Sequence, residues 1–295
     1  MILAIAGGKG GVGKSTVALN VAHALDAVVV DADLAMADLP DGRGPDLHDV
    51  LAGRATPVEA VRDAGDVRVV ACGRTLAGAR ASDVRALAPA LVAVAAEFDR
   101  VVVDCPAGLA ADAGVALLAA DRVGLVVEPA AFALPDALRT RALARELDAG
   151  LAGVVVNRAP ESLDCTRFSR ALGAPAVAIP RSDTVADAQA RGRPVACHVP
   201  DADTASAFAR AAVMLGHDES HRRAATPGRE REAMHGDPVT TVIDRGGDSG
   251  PCRDGVSRRR NSAERQGVFS SPPRRRPFTL GTCVSRNSFI TSNVG

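Results

Sequence analysis

Gly7-Gly8-Lys9-Gly10-Gly11-Val12-Gly13-Lys14-Ser15-Thr16 is the stretch that decides how the rest of the chain is read. From Gly8 to Ser15 it satisfies the phosphate-loop pattern G-x-x-x-x-G-K-[ST]. Before it runs Met1-Ile2-Leu3-Ala4-Ile5-Ala6, an apolar segment of the length of a buried strand. After it comes Thr16-Val17-Ala18-Leu19-Asn20-Val21-Ala22-His23-Ala24-Leu25, with apolar positions at helical spacing. Strand, glycine loop and helix in that order are the context in which the pattern is meaningful. The glycines let the backbone turn tightly and aim its N–H groups at phosphate oxygens. The helix N-terminus adds partial positive charge behind them. Lys14 is expected to reach the outer phosphates, and the Ser15 hydroxyl to bind Mg²⁺.

The loop contains a second lysine. The chain has 35 Lys and Arg side chains together, yet Lys9 and Lys14 are its only lysines. Elsewhere every such cation is an arginine, so ammonium groups are reserved for the loop. A compact ammonium suits a narrow phosphate site better than a planar guanidinium.

Further along, apolar strands alternate with helical stretches, and carboxylates or amides stand where several strands end. Ala27-Val28-Val29-Val30 runs into Asp31-Ala32-Asp33, and Arg100-Val101-Val102-Val103 into Asp104-Cys105-Pro106-Ala107-Gly108. Leu151 to Val156 runs into Asn157-Arg158, and Ala174 to Ile179 into Pro180. Val67–Ala71 and Arg122–Val127 complete a set of about seven strands. The pattern predicts an α/β, doubly wound, mostly parallel sheet with helices on both faces, the architecture of a phosphate-loop NTPase. The site is expected at the carboxyl edge of that sheet. Thr56-Pro57-Val58-Glu59 fits a capping box opening a helix. Ser82 is expected to cap a helix through about Ala96, with Val84, Leu87, Leu91, Val94 and Ala95 as its core stripe. Pro135 to Leu147 reads as a helix with a Leu134, Leu138, Leu143, Leu147 stripe inward. Residues 203–215 read as a last helix burying Phe208, Ala212, Val213 and Leu215. Cys105 reads as a small buried residue beside Asp104.

The loop and these strand ends resemble the MinD/ParA family of ATPases with a deviant phosphate loop. The resemblance covers about residues 1–216 and implies ATP with Mg²⁺ as ligands. It implies that Lys9 reaches the nucleotide of a partner copy in a homodimer formed on ATP binding. It places Gly8, Gly10, Gly11, Val12, Gly13, Lys14, Ser15 and Thr16 around the phosphates, Asn157, Arg158 and Pro180 around the base, and Ser15, Asp33 and Asp104 around the metal. Asp33 is expected to position the attacking water, so that Lys9, Lys14 and Asp33 form the catalytic set. Gly108 is expected to let the Asp104–Gly108 switch reorganise. The implied function is a slow, Mg-dependent ATPase acting as a nucleotide-gated dimeric switch. Its outputs would be placement of the division site or positioning of chromosome, plasmid or polar structures. A metal or iron–sulfur delivery ATPase of the same superfamily, and a non-hydrolysing adaptor, remain open as alternatives.

Composition narrows these alternatives. The six cysteines form no C-x-x-C, against a cluster site built from one chain and in favour of a reducing cytoplasm. With no Trp or Tyr, a base-stacking surface for single-stranded nucleic acid is not expected. The apolar start has no basic leader and runs straight into the glycine loop, unlike a signal peptide. Formal net charge is zero, but residues 1–220 carry 28 acidic and 21 basic side chains and residues 221–295 carry 7 and 14. From about residue 217 arginine clusters such as Arg258-Arg259-Arg260 and Arg274-Arg275-Arg276 alternate with Gly, Ser and Pro. That pattern predicts a basic, disordered tail over 217–295. The basic amphipathic helix that ends MinD relatives is not legible there, which leaves contact with a membrane or the nucleoid open, as is the identity of any activator or cargo.

Overall fold

Short, uninterrupted Val/Ile/Leu/Ala runs become strands covered on both faces, the environment such runs require. The computed structural model describes residues 1–34, 39–40, 42–108, 111–130 and 133–217. Beyond His217 the expected tail lies outside the described residues. The strands are β1 (Ile2–Ala6), β2 (Val28–Asp31), β3 (Arg62–Asp63), β4 (Arg68–Val70), β5 (Val101–Asp104), β6 (Arg122–Val127), β7 (Gly150–Ala159) and β8 (Ala176–Pro180). They form one sheet in the order β3-β4-β2-β5-β1-β6-β7-β8. Every pairing is parallel except β3 with β4. The doubly wound architecture expected from the sequence is present, with one additional strand, β3. Its two residues, Arg62 and Asp63, carry no apolar pattern.

The helices are α1 (Lys14–Ala24), α2 (Leu47–Leu51), α3 (Leu76–Ala81), α4 (Leu87–Phe98), α5 (Ala111–Ala119), α6 (Ala133–Glu146), α7 (Thr166–Leu172), α8 (Asp183–Ala190), α9 (Val195–His198) and α10 (Asp203–Gly216). Alternation along each strand sorts the core into two layers. Ile2, Ala4, Val28, Val30, Val101 and Val103 pack with Leu91 of α4, Leu117 of α5 and Leu172 of α7. Leu3, Ile5, Val29 and Val102 pack with Val17 and Val21 of α1 and with Phe208 and Leu215 of α10.

Local chemistry departs from the expectations at five places. The Thr56 N–H donates to Glu59 Oε2 (2.8 Å) and the Glu59 N–H to Thr56 Oγ1 (3.3 Å), so the box is built. It closes a single turn, because the chain enters β3 directly afterwards. The box that starts a helix is Asp46 with Asp49, at α2. Ser82 ends α3 instead of starting α4; Asp83 takes the N-terminal role, accepting from the Arg85 N–H at 3.0 Å before a 3-10 turn, Val84–Ala86. On α6 the buried side chains are Ala137, Thr140 and Ala144, while Leu138 is exposed. Small residues let this helix lie close to the sheet, and the larger Leu134, Leu143 and Leu147 close its flanks. On α10, Phe208, Ala212 and Leu215 face inward as expected, but Val213 is 71% exposed. It sits a hundred-degree step from Ala212, off the buried stripe.

Candidate nucleotide site

α1 starts inside the glycine loop. Gly13 is its N-cap at φ 92°, no side chain caps it, and its first turn holds no acidic residue. A first turn with neither a side-chain cap nor an acidic residue suits an anion, with the helix dipole behind it. A Cβ on Gly13 would lie 2.2 Å from Asn157 Nδ2, and one on Gly8 would lie 2.5 Å from Cβ of Asp136 on α6. The loop is thus pressed between β7 and α6. Lys14 is only 8% exposed, its stem lying beneath the loop beside Gly7. Lys9 is exposed.

The strand-end carboxylates meet here. Asp31 and Asp104 are register partners at the ends of β2 and β5, and Asp104 stands opposite Ile5 of β1, just before the loop. Asp104 is 1% exposed and Asp31 fully buried. Asp31 braces the segment beyond it: Oδ1 accepts from the Asp33 N–H and Oδ2 from the Leu39 N–H, each at 3.3 Å. The Cys72 thiol donates to the Asp33 carbonyl at 3.2 Å, so the chain carrying Asp33 is tied from both sides. A Cβ on Gly10 would stand 3.9 Å from that of Ala107, which brings the Asp104–Gly108 switch against the loop.

Two clefts open beside the loop. One is lined by Gly8, Lys9, Val12, Glu128 and Asp136. The other, enclosing about 590 Å³ of open space, is lined by Thr16, Asn157, Arg158, Pro180, Ser182 and Gln189 among others. Thr16, Asn157, Arg158 and Pro180, far apart in sequence, therefore share one recess at the mouth of α1. Asn157 Nδ2 donates to the Val12 carbonyl at 2.9 Å. Arg158 Nη1 donates to the Gly11 carbonyl at 2.8 Å and also pairs with Glu128. Thr16 Oγ1 donates to Gln189 Oε1 (2.7 Å), and Asn20 Oδ1 accepts from the Val195 N–H (2.7 Å), latching α1 to α8 and α9.

The sequence reading did not single out Glu128, Asp136, Gln189 or Cys72. Glu128 was within reach of the same logic, since it directly follows the apolar run of β6. The others act through contacts that no local pattern records.

These residues fit a nucleotide with Mg²⁺. The uncapped first turn of α1 and the buried Lys14 suit a polyphosphate. The donor set is of hard oxygens, the Ser15 hydroxyl with the Asp104 and Asp33 carboxylates. Among the described residues no group of three or more His, Cys, Asp and Glu side chains could hold a metal on its own. Mg²⁺ takes one or two carboxylates plus phosphate oxygens and water.

Two thiols stand beside the strand-end acids. Cys72 and Cys105 are buried, and burial first, then the neighbouring Asp31 and Asp104 carboxylates respectively, pushes both thiols well above their ordinary value. Both are therefore protonated, and Cys72 is free to donate. Iodoacetamide is expected to leave both unmodified in the folded protein at mildly alkaline pH and to label them after denaturation, as read by mass spectrometry. Native labelling of Cys105 would show that the second switch opens on its own.

A doubly wound sheet with an uncapped glycine loop at its carboxyl edge defines a phosphate-loop nucleotide-binding protein. The chain belongs to the CobQ/CobB/MinD/ParA nucleotide binding domain family, whose model matches residues 3–195. It is 32% identical over 228 residues to an uncharacterized ATP-binding protein of Methanocaldococcus jannaschii, covering 72% of this chain and 86% of that protein. Its fold is similar to that of the cell division ATPase MinD of Pyrococcus furiosus, at 29% identity and TM-score 0.69 over 73% of this chain and 98% of that one. It is likewise similar to the septum site-determining protein MinD of Pyrococcus horikoshii, solved with Mg-ADP, at 28% identity and TM-score 0.68 over 72% and 93% of the two chains.

Proposed function

We propose that residues 1–216 form a slow, Mg-dependent ATPase that pairs with a second copy when ATP is bound and uses hydrolysis to release its partners. The observation that carries this reading is the division of labour between the chain's two lysines. Lys14 is buried, whereas Lys9 of the same loop is exposed. A buried ammonium serves the nucleotide of its own subunit; an exposed one is free to serve a neighbour's. When bound, Mg²⁺ supplies charge neutralisation across the outer phosphates. The loop N–H groups and Lys14 bind and orient those phosphates. Asp104 and Ser15 hold the metal side, Asp33 orients the water, and Lys9 of the second copy meets charge that develops on the leaving group. Asn157 and Pro180 border the recess that takes the base.

The MinD relatives support placement of the division site or of another polar or chromosomal cargo as the output. Residues 1–220, with their excess of acidic side chains, favour a protein partner over direct contact with DNA. No helix among the described residues is long and apolar enough to cross a membrane. The basic residues 217–295 are taken as an extension of this ATPase.

Lys9→Ala is expected to retain nucleotide binding, to lose nucleotide-dependent pairing by light scattering, and to slow hydrolysis about a hundredfold or more, as removal of a trans-acting cation does. Mixing Lys9→Ala with Asp33→Ala protein separates cis from trans action. If Lys9 works across the interface, one site of each mixed dimer has all its groups and part of the wild-type rate returns. No return in mixed dimers shown to form by co-purification would place Lys9 in its own subunit's site.

A further inference from the structure

The end of β7 does something that neither the loop motif nor the strand-end pattern announces. Two successive residues, Asn157 and Arg158, bond two successive loop carbonyls, those of Val12 and Gly11. We propose that Asn157 and Arg158, with Glu128 behind them, are positioning residues that set the loop's N–H groups for the phosphates before any nucleotide arrives.

In a trans peptide unit the carbonyl and the next residue's N–H point in opposite directions. Holding the Gly11 carbonyl outward fixes the Val12 N–H on the other side, and holding the Val12 carbonyl fixes the Gly13 N–H. Those two donors lie at the mouth of α1, where the anion belongs. A glycine loop left to itself has wide backbone freedom, and two of its residues, Gly11 and Gly13, sit at positive φ. Freezing it in advance removes part of the ordering cost from the binding step.

The surrounding structure is shaped to permit these bonds. The β7–β8 register shifts between Val156 and Ala159, so the strand bulges where Asn157 and Arg158 lie. Such a bulge re-aims side chains beside a site. Arg158 adopts φ 54°, which a non-glycine residue holds only when its surroundings demand it. Gly13 lacks the Cβ that would strike the Asn157 amide. Both Arg158 bonds come from the same nitrogen: one N–H of Nη1 meets Gly11 and the other meets Glu128. The carboxylate at the end of β6 thereby orients the guanidinium.

This inference rests on nucleotide binding and not on hydrolysis. Its test is titration of wild type, Asn157→Ala, Arg158→Ala, Arg158→Lys and Glu128→Gln with Mg-ATP and, separately, with inorganic tripolyphosphate, which has no base. Arg158→Ala and Asn157→Ala are expected to lose affinity for both ligands by a similar factor, about tenfold each, as for a hydrogen bond to a charged or preorganised group. Arg158→Lys should recover part of that loss, since an ammonium can still meet both acceptors. Glu128→Gln keeps shape and fold, and is expected to show a smaller loss of the same kind. The Val12 and Gly13 amide resonances should move in each variant without ligand, which a purely structural role distant from the loop would not produce. Variants that weaken ATP but bind tripolyphosphate as wild type does would overturn the proposal and make the pair readers of the base. Unchanged affinity for both ligands in Arg158→Ala and Glu128→Gln would also overturn it. Failure of wild type to bind ATP would instead count against the nucleotide-binding reading itself.

Discussion

Lys14→Ala is expected to lower nucleotide affinity and turnover by about 10²–10³-fold, near 3–4 kcal/mol of lost stabilisation. The size follows from where the ammonium sits. Lys14 is 8% exposed, so its charge would act on bound phosphate oxygens with little water between them. Its stem also fills space under the loop, and alanine would leave a void there. Lys14→Met keeps most of that volume and removes only the charge. Melting of Lys14→Met should stay near that of wild type while its nucleotide affinity falls as far as in Lys14→Ala. If the methionine variant bound nucleotide as well as wild type, the charge would not be what holds the phosphates.

Gly13→Ala is expected to be the most damaging single-methyl insertion in the loop. At φ 92° any L-residue is strained, and the new Cβ would lie 2.2 Å from the Asn157 amide nitrogen. The amide must move, so Val12 loses its donor and a side chain only 5% exposed loses its partner. Backbone strain of about 1–2 kcal/mol and a lost buried hydrogen bond of about 1–3 together suggest destabilisation of about 2–4 kcal/mol. In a domain of this size that corresponds to a fall in Tm of roughly 5–15 °C by calorimetry. Adding Asn157→Ala to Gly13→Ala should recover part of the loss, because the clash then has no second party. An unchanged Tm in Gly13→Ala would mean that the amide does not occupy this position in solution.

Seven of the eight strands are legible from the residues because each is a run that only a doubly covered sheet can bury. β3 is not, since Arg62 and Asp63 owe their pairing to β4 and not to their own propensity. Helix faces are less legible where close approach matters more than apolarity. On α6 the buried contacts fall to alanine and threonine, whereas the leucines that dominate a hydropathy reading sit at the flanks. Capping at Ser82 and Asp83 depends on which of two adjacent oxygens points back at the chain. The acids of the site are legible because Asp31, Asp33 and Asp104 stand where apolar strands stop. Their supports are not: Cys72 reaches Asp33 across 39 positions and Thr16 reaches Gln189 across 173.

The latch between α1 and the last third of the chain bears on synthesis. β1 and the glycine loop leave the ribosome well before Phe208, Ala211, Ala212 and Leu215, which share the core of α1 and are among the last described residues to emerge. A nascent chain halted before residue 203 lacks Phe208, Ala211, Ala212 and Leu215, so Val17 and Val21 keep only the sheet side of their core. Gln189 and Val195, which tie down the start of the same helix, arrive only shortly before. Completion of the core around the helix that opens the glycine loop is therefore a late event in the life of the polypeptide.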